Sequence, residues 1–216
     1  MSKKAKGDKA SRGREVIVIA GEHTNDRKIV THLVRGLCPG LRVGIEEIRD
    51  DVRLKEATGD RLTQRVQTLV RKAKAKALSK QANLSGLIVH EDLDGVTDDR
   101  YETVRKALAN SFQDNSPCPS VVALAAWESE AWLLLFPAAF TYVHRSWHIP
   151  ASLSGRDTGR IASPKEELQQ KIGSPKFRED DGPKIMAAAR EHHLLNGPHG
   201  SNRSYADFVA DLDAWR

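Results

Sequence analysis

The chain has 216 residues, 39% of them hydrophobic, and its 34 lysines and arginines outnumber 29 acids to give a net charge of +5. That length supports one sizeable core, or one core with a small appendage, and the basic balance suits a polyanionic partner. No run approaches the roughly 20 apolar residues needed to cross a membrane, and the N-terminus is charged where a secretory signal would be apolar, so the expectation is a cytoplasmic protein with no membrane partner.

Residues 1–14 hold Lys3, Lys4, Lys6, Lys9, Arg12 and Arg14 and almost nothing apolar. They read as a disordered basic tail, either solubilising or binding nucleic acid. From Glu15 a βαβ rhythm begins. Residues 15–21 read as a buried strand, and residues 25–37 as a helix with Ile29, Val30, Leu33, Val34 and Leu37 on one stripe. Residues 41–48 alternate and read as a strand near the sheet edge. Thr58 is the expected cap of a long helix to about Leu78, with Leu62, Val66, Leu69, Val70, Ala73 and Ala77 inward. Residues 84–90 form the next strand. Thr97 is the expected cap of a helix through about Phe112, residues 121–127 form a fourth strand, and a helix over residues 130–136 stops at Pro137. Four short β-rich runs separated by helices predict an α/β fold, a parallel sheet covered on both faces, over residues 15–143. Residues 144–216 read as a helical extension packed on that core. A long connection carrying Pro150, Gly155 and Gly159 comes first, and helices opening at Pro164 and Pro183 and a last one through Tyr205, Phe208, Val209 and Leu212 follow.

Acidic residues follow three of the apolar runs: Glu22 after Gly21, Asp92 and Asp94 after His90, and Glu128 with Glu130 after Trp127. The carboxyl ends of parallel strands share one edge, where such sheets bind ligands. Carboxylates converging there repel unless a cation neutralises them, and hard oxygen ligands suit Mg²⁺ or Mn²⁺. In extended backbone Asp92 and Asp94 point the same way, and Gly95 permits a sharp departure afterwards. Taken alone, this stretch is also an ordinary acidic loop before a helix. Glu22 is placed to ligate the metal or to act as acid or base beside it, its alternative being capping of the next helix. Glu130 is the expected inward member of its pair. Lys165 and Lys184, at helix starts, are candidates to approach this edge and stabilise a pentavalent phosphate. Arg61, Arg65, Arg71, Lys72, Lys74, Lys76 and Lys80 decorate the long helix, as a solvated face or as a track for a nucleic-acid backbone through Arg65, Arg71, Lys72 and Lys76. The chain has no phosphate-binding GxxxxGK[ST] loop and no GxSxG elbow. Its late histidines lack zinc spacing, and Cys38 and Cys118 form no CxxC pair.

Gly21-Glu22 at a strand–helix turn, followed by Asp92-x-Asp94-Gly95 after a later strand, resembles the Toprim domain. The order is most similar to the compact Toprim-like proteins allied to the OLD-family nucleases, as is the run Glu128-Ser129-Glu130-Ala131-Trp132-Leu133-Leu134. Residues 163–168 and 204–208 resemble them as well. The resemblance implies a Rossmann-like, Toprim-like sheet of about four strands and a site for Mg²⁺ or Mn²⁺. Its ligands would be Glu22, Asp92, Asp94 and an added Glu130. It also implies cleavage of phosphodiester bonds and a setting in phage defence or mobile elements. The chain carries no ATPase of its own, so the resemblance leaves room for an ATPase or another defence-system partner. The expected function is therefore a metal-dependent nuclease acting on DNA or RNA. The alternatives are a non-catalytic nucleic-acid-binding or regulatory subunit, and a hydrolase of small phosphorylated substrates.

Overall fold

The computed structural model of the protein describes residues 13–49, 53–213 and 215. Most of the basic tail, residues 1–12, therefore lies outside the described residues. Arg14, expected to belong to that tail, instead opens the first strand opposite Ala82.

Among the described residues four strands form one all-parallel sheet: β1 (Arg14–Gly21), β2 (Gly44–Arg49), β3 (Ala82–Asp92) and β4 (Ser120–Ala125), in the order β2-β1-β3-β4. Alternation along each strand divides the core in two. Val16, Val18, Ala20, Leu87, Val89, Val122 and Leu124 face α2 (Gly59–Ser79) and α3 (Asp99–Asn115). Ile17, Ile19, Ile88, Val121, Ala123 and Ala125 face α1 (Thr24–Leu37) and the helices of the C-terminal third. Both faces of the central strands are thus covered, which is why those strands read as continuous apolar runs.

All six inward positions expected on α2 are buried, and Thr58 is its N-cap residue. Two helix boundaries differ from the sequence expectation. Helix α3 is capped by Asp98 and not by Thr97, because the Asp98 carboxylate accepts hydrogen bonds from the Arg100 and Tyr101 amides at 3.0 and 3.1 Å. The helix expected over residues 130–136 is only the short α4 (Glu130–Leu133), and Pro137, the expected stop, instead opens a separate helix, α5 (Pro137–Val143). Proline lacks an amide hydrogen but fits the first turn, where that hydrogen has no intrahelical partner.

Beyond residue 143 the chain adds α6 (Pro164–Lys171), α7 (Gly182–Glu191) and α8 (Arg203–Asp213). Trp147, Phe177, Met186, Tyr205 and Phe208 join Ile29, Leu33 and Trp132 in one buried cluster, so this segment completes the α1 side of the core. No helix among the described residues is long and apolar enough to cross a membrane.

Candidate functional site

The chain leaves β1 toward β2 on one side and returns to β3 on the other. The carboxyl ends of β1 and β3 therefore flank the point where strand order reverses, where open parallel sheets leave a crevice. A cavity of about 370 Å³ opens there, and its walls include Glu22, Asp92, Asp94, Glu128, Glu130 and Lys165. Those side chains, expected from sequence, share the cavity with others that were not, among them Asp26, Arg53, Lys55 and His90.

At its floor Asp26, His90 and Asp92 each present a ligating atom, all within 4.8 Å of one another, a group that could hold a metal ion. Strand alternation explains two of the three. Ile88, His90 and Asp92 are two residues apart on β3, so they project to one face of the sheet. Asp26 comes from the first turn of α1, on the helix's buried side with Ile29 and Val30, where the helix dipole favours negative charge. His90 is 3% exposed. Its Nε2 lies 3.5 Å from Asp92 Oδ1, its Nδ1 lies 4.0 Å from Asp26 Oδ2, and Nε2 has no hydrogen-bond partner. Ser129 fixes both carboxylates: its hydroxyl donates to Asp26 Oδ1 at 2.6 Å and its amide to Asp92 Oδ1 at 3.1 Å. Among the described residues Asp26 Oδ2 accepts no hydrogen bond. The donor set of two carboxylates and one imidazole, with an orphaned buried nitrogen beside Asp92, fits a divalent ion.

Burial pushes the Asp92 carboxyl well above its ordinary value, and the nearby Asp26, Glu130 and Glu128 push it further against the pull of Lys55. Burial also raises Glu130, with Asp26 adding to it, from 4.5 to about 7. Burial lowers His90, although Asp26 opposes the shift. All three shifts suppress charge, as expected where several ionisable groups are held together out of water.

Cations ring the cavity. Lys55 belongs to a single 3₁₀ turn, Leu54–Glu56, whose first amide donates to Glu91 Oε1 at 2.7 Å. Its ammonium donates to the Asp92 carbonyl and to the Asp94 carboxylate. Lys165 sits 3.4 Å from both Glu128 and Glu179, and its amide donates to Glu128. Burial pulls the Lys165 ammonium downward, but Glu128, Glu179 and Glu130 outweigh it and leave the net shift upward. Arg53 lies 3.9 Å from Glu22.

Not all the expected residues occupy equivalent positions. The backbone at Asp94 is left-handed, φ +54°, not extended, so its side chain does not repeat the direction of Asp92 and stands 67% exposed against Lys55. Glu22 stays exposed on the rim and does not cap α1, whose N-cap residue is His23. Glu130 is the buried member of its pair, while Glu128 remains partly exposed and bound to Lys165. Lys184 pairs with Asp181 at 2.7 Å and is not among the cavity's lining residues. On α2, Arg65 donates to the Arg53 carbonyl at 2.7 Å, so the basic helix reaches the cavity rim. Arg71 and Lys72 are exposed, and Lys76 sits 3.4 Å from Glu46 of β2.

Asp26 and His90 were missed for different reasons. An acid in the first turn of an amphipathic helix usually serves the dipole. A histidine in an apolar strand usually belongs to the core, and the only signal was its two-residue spacing from Asp92. Comparison with protein-family models, with curated proteins and with solved structures finds no match to this chain.

Proposed function

We propose that the protein is a divalent-metal-dependent phosphodiesterase, a nuclease acting on DNA or RNA. The observation that carries this reading is buried His90 set between two carboxylates at the switch point of the sheet, its unpartnered Nε2 beside Asp92 and its Nδ1 toward Asp26. Asp26, His90 and Asp92 would hold the ion, with Glu130 beside them. A divalent ion bound there would polarise a phosphoryl oxygen and lower the pKa of a bound water. The residues supply the rest. Glu130, raised to about 7 by burial and Asp26, would be drawn to its charged form by an ion held beside it and could then accept a proton. Arg53, Lys55 and Lys165 place positive charge around the carboxylates, where they would position phosphate oxygens and offset charge that grows during in-line displacement. The exposed basic face of α2 runs from the rim, which favours a polynucleotide over a small phosphorylated substrate. A setting in phage defence, with an ATPase or another partner, rests on the Toprim resemblance alone.

A second reading, a nucleic-acid-binding or regulatory subunit without chemistry, has its own support: Lys55 and Lys165 already neutralise Asp94 and Glu128. A cleavage panel of plasmid, single-stranded DNA, RNA and nucleotides with Mn²⁺ or Mg²⁺ separates the two. Cleavage of a polynucleotide that is lost in Asp92→Asn supports the nuclease. Binding without cleavage under every metal condition supports the subunit and refutes the nuclease.

A further inference from the structure

We propose that the ion bound by Asp26, His90 and Asp92 is a first-row transition ion, such as Mn²⁺ or Zn²⁺, ligated by an imidazole nitrogen, and that Mg²⁺ is discriminated against. This rests on the reading that a divalent ion binds here at all, and goes beyond it by naming the ion's chemical class. An all-carboxylate edge, as the sequence alone predicts, favours hard oxygen-seeking ions. The floor of the cavity differs because one of its three donors is nitrogen. Imidazole suits borderline transition ions, while Mg²⁺ demands an oxygen octahedron and gives up its water reluctantly.

The nitrogen is built in. His90 is 3% exposed, so its ring cannot swing out to water, and its Nε2 has no other partner. The ring stands edge-on to Trp132, with centroids 6.2 Å apart and planes at 88°. Trp132 is itself fixed, since its Nε1 donates to the buried Ser204 hydroxyl at 3.0 Å. The carboxylates are held independently by Ser129, from the turn after β4. Donors fixed from three directions leave the ion little freedom to adopt an all-oxygen shell. A site whose ligands are held by a second layer of contacts shows the selectivity of its own donor set.

The test uses the full chain and three probes: Mn²⁺, Zn²⁺ and Mg²⁺ alone. By calorimetric titration Mn²⁺ and Zn²⁺ are expected to bind at least about tenfold more tightly than Mg²⁺. Pulsed electron paramagnetic resonance of the Mn²⁺-loaded protein is expected to show coupling to a ¹⁴N nucleus. In His90→Gln that coupling disappears and Mn²⁺ affinity falls by about tenfold or more, while Mg²⁺ affinity changes little. Should His90→Gln fail to fold, the wild-type spectrum decides alone. Tight Mn²⁺ binding without ¹⁴N coupling, or equal affinities for Mn²⁺ and Mg²⁺, would place the ion on carboxylates only. Either result would overturn this inference while leaving a metal-dependent enzyme intact. Failure of every ion to bind would remove both, and would leave Asp26, His90 and Asp92 as a metal-free cluster.

Discussion

Replacing Glu130 by glutamine tests the electrostatics of the cavity in isolation from catalysis. Glu130 is 8% exposed and its carboxyl is raised from 4.5 to about 7, chiefly by burial and secondarily by Asp26. Below about pH 4.5 the group is protonated in both the folded and unfolded chain. Between there and about 7 the unfolded chain gives up the proton and the folded one keeps it, so rising pH favours unfolding. At about 1.4 kcal/mol per pH unit, that interval corresponds to about 3 kcal/mol of stability lost across the window, constant above it. Glutamine keeps the shape and cannot ionise. In EDTA, urea unfolding followed from about pH 4 to pH 8 should show wild type losing about 3 kcal/mol more than Glu130→Gln. Taking the difference matters, because Asp92 contributes a slope of the same sign. His90, whose folded pKa is lowered, contributes the opposite slope below its ordinary 6.5. Saturating Mn²⁺ should flatten the wild-type curve within that window, since an ion that binds the ionised site stabilises the folded state by mass action and draws the proton off at lower pH. Parallel curves for wild type and Glu130→Gln in EDTA would refute the raised pKa, and with it the picture of a carboxylate cluster short of one cation.

Two further outcomes are expected. Ser129→Ala removes the buried hydroxyl that donates to Asp26 at 2.6 Å and should cost about 1–3 kcal/mol in urea unfolding, with a weaker Mn²⁺ titration; an unchanged Mn²⁺ affinity would show that Ser129 does not position the ligand. Double charge reversal at Arg71 and Lys72, both exposed on α2, should reduce the slope of log affinity against log salt for nucleic acid by about 0.9 for each phosphate no longer neutralised, and a retained slope would make α2 a solvated face only.

The fold was legible where hydrophobic period alone decides. The α2 stripe needs nothing but a 3.6-residue repeat, and all six of its expected inward residues are buried. The strands needed only length and β-branched content. Boundaries were less legible because neighbouring residues compete for them. Thr97 and Asp98 are both good caps, and the turn settled on the carboxylate that reaches two amides at once. The end of β3 shows the same limit at the site. An Asp-x-Asp spacing implies two parallel carboxylates only if the strand continues, and here the strand ends at Asp92 with Asp94 already left-handed. The alternation holds one step earlier, between His90 and Asp92. Lys55 gave no sequence signal at all, since its position depends on a short turn that Glu91 clamps from another strand.

The most telling feature of the cavity is what it would cost to remove. Asparagine at position 26 would keep a similar shape and a carbonyl acceptor for Ser129 while removing the charge that adds to the effect of burial in raising Asp92 and Glu130. On stability alone the neutral residue is the better choice, because ionised carboxylates held close together out of water are penalised twice, by desolvation and by one another. The chain instead builds supports around the charged arrangement. Ser129 holds two acids, and Ser204, reached only through α8, fixes the Trp132 ring against His90. Ser204 also accepts from the Ala126 amide at 2.9 Å and donates to Asn202 at 2.7 Å, so the wall behind the histidine is tied to the far end of the sequence. Structural ion pairs do not explain this arrangement of supports, since the two nearest lysines pair directly with Asp94 and Glu128 and their pull on Asp92 and Glu130 is outweighed by burial and the neighbouring acids. Groups held in a destabilised charge state by an otherwise well-packed shell are characteristic of sites shaped by binding or catalysis. A group of two carboxylates and one imidazole that could hold a metal ion is such a site.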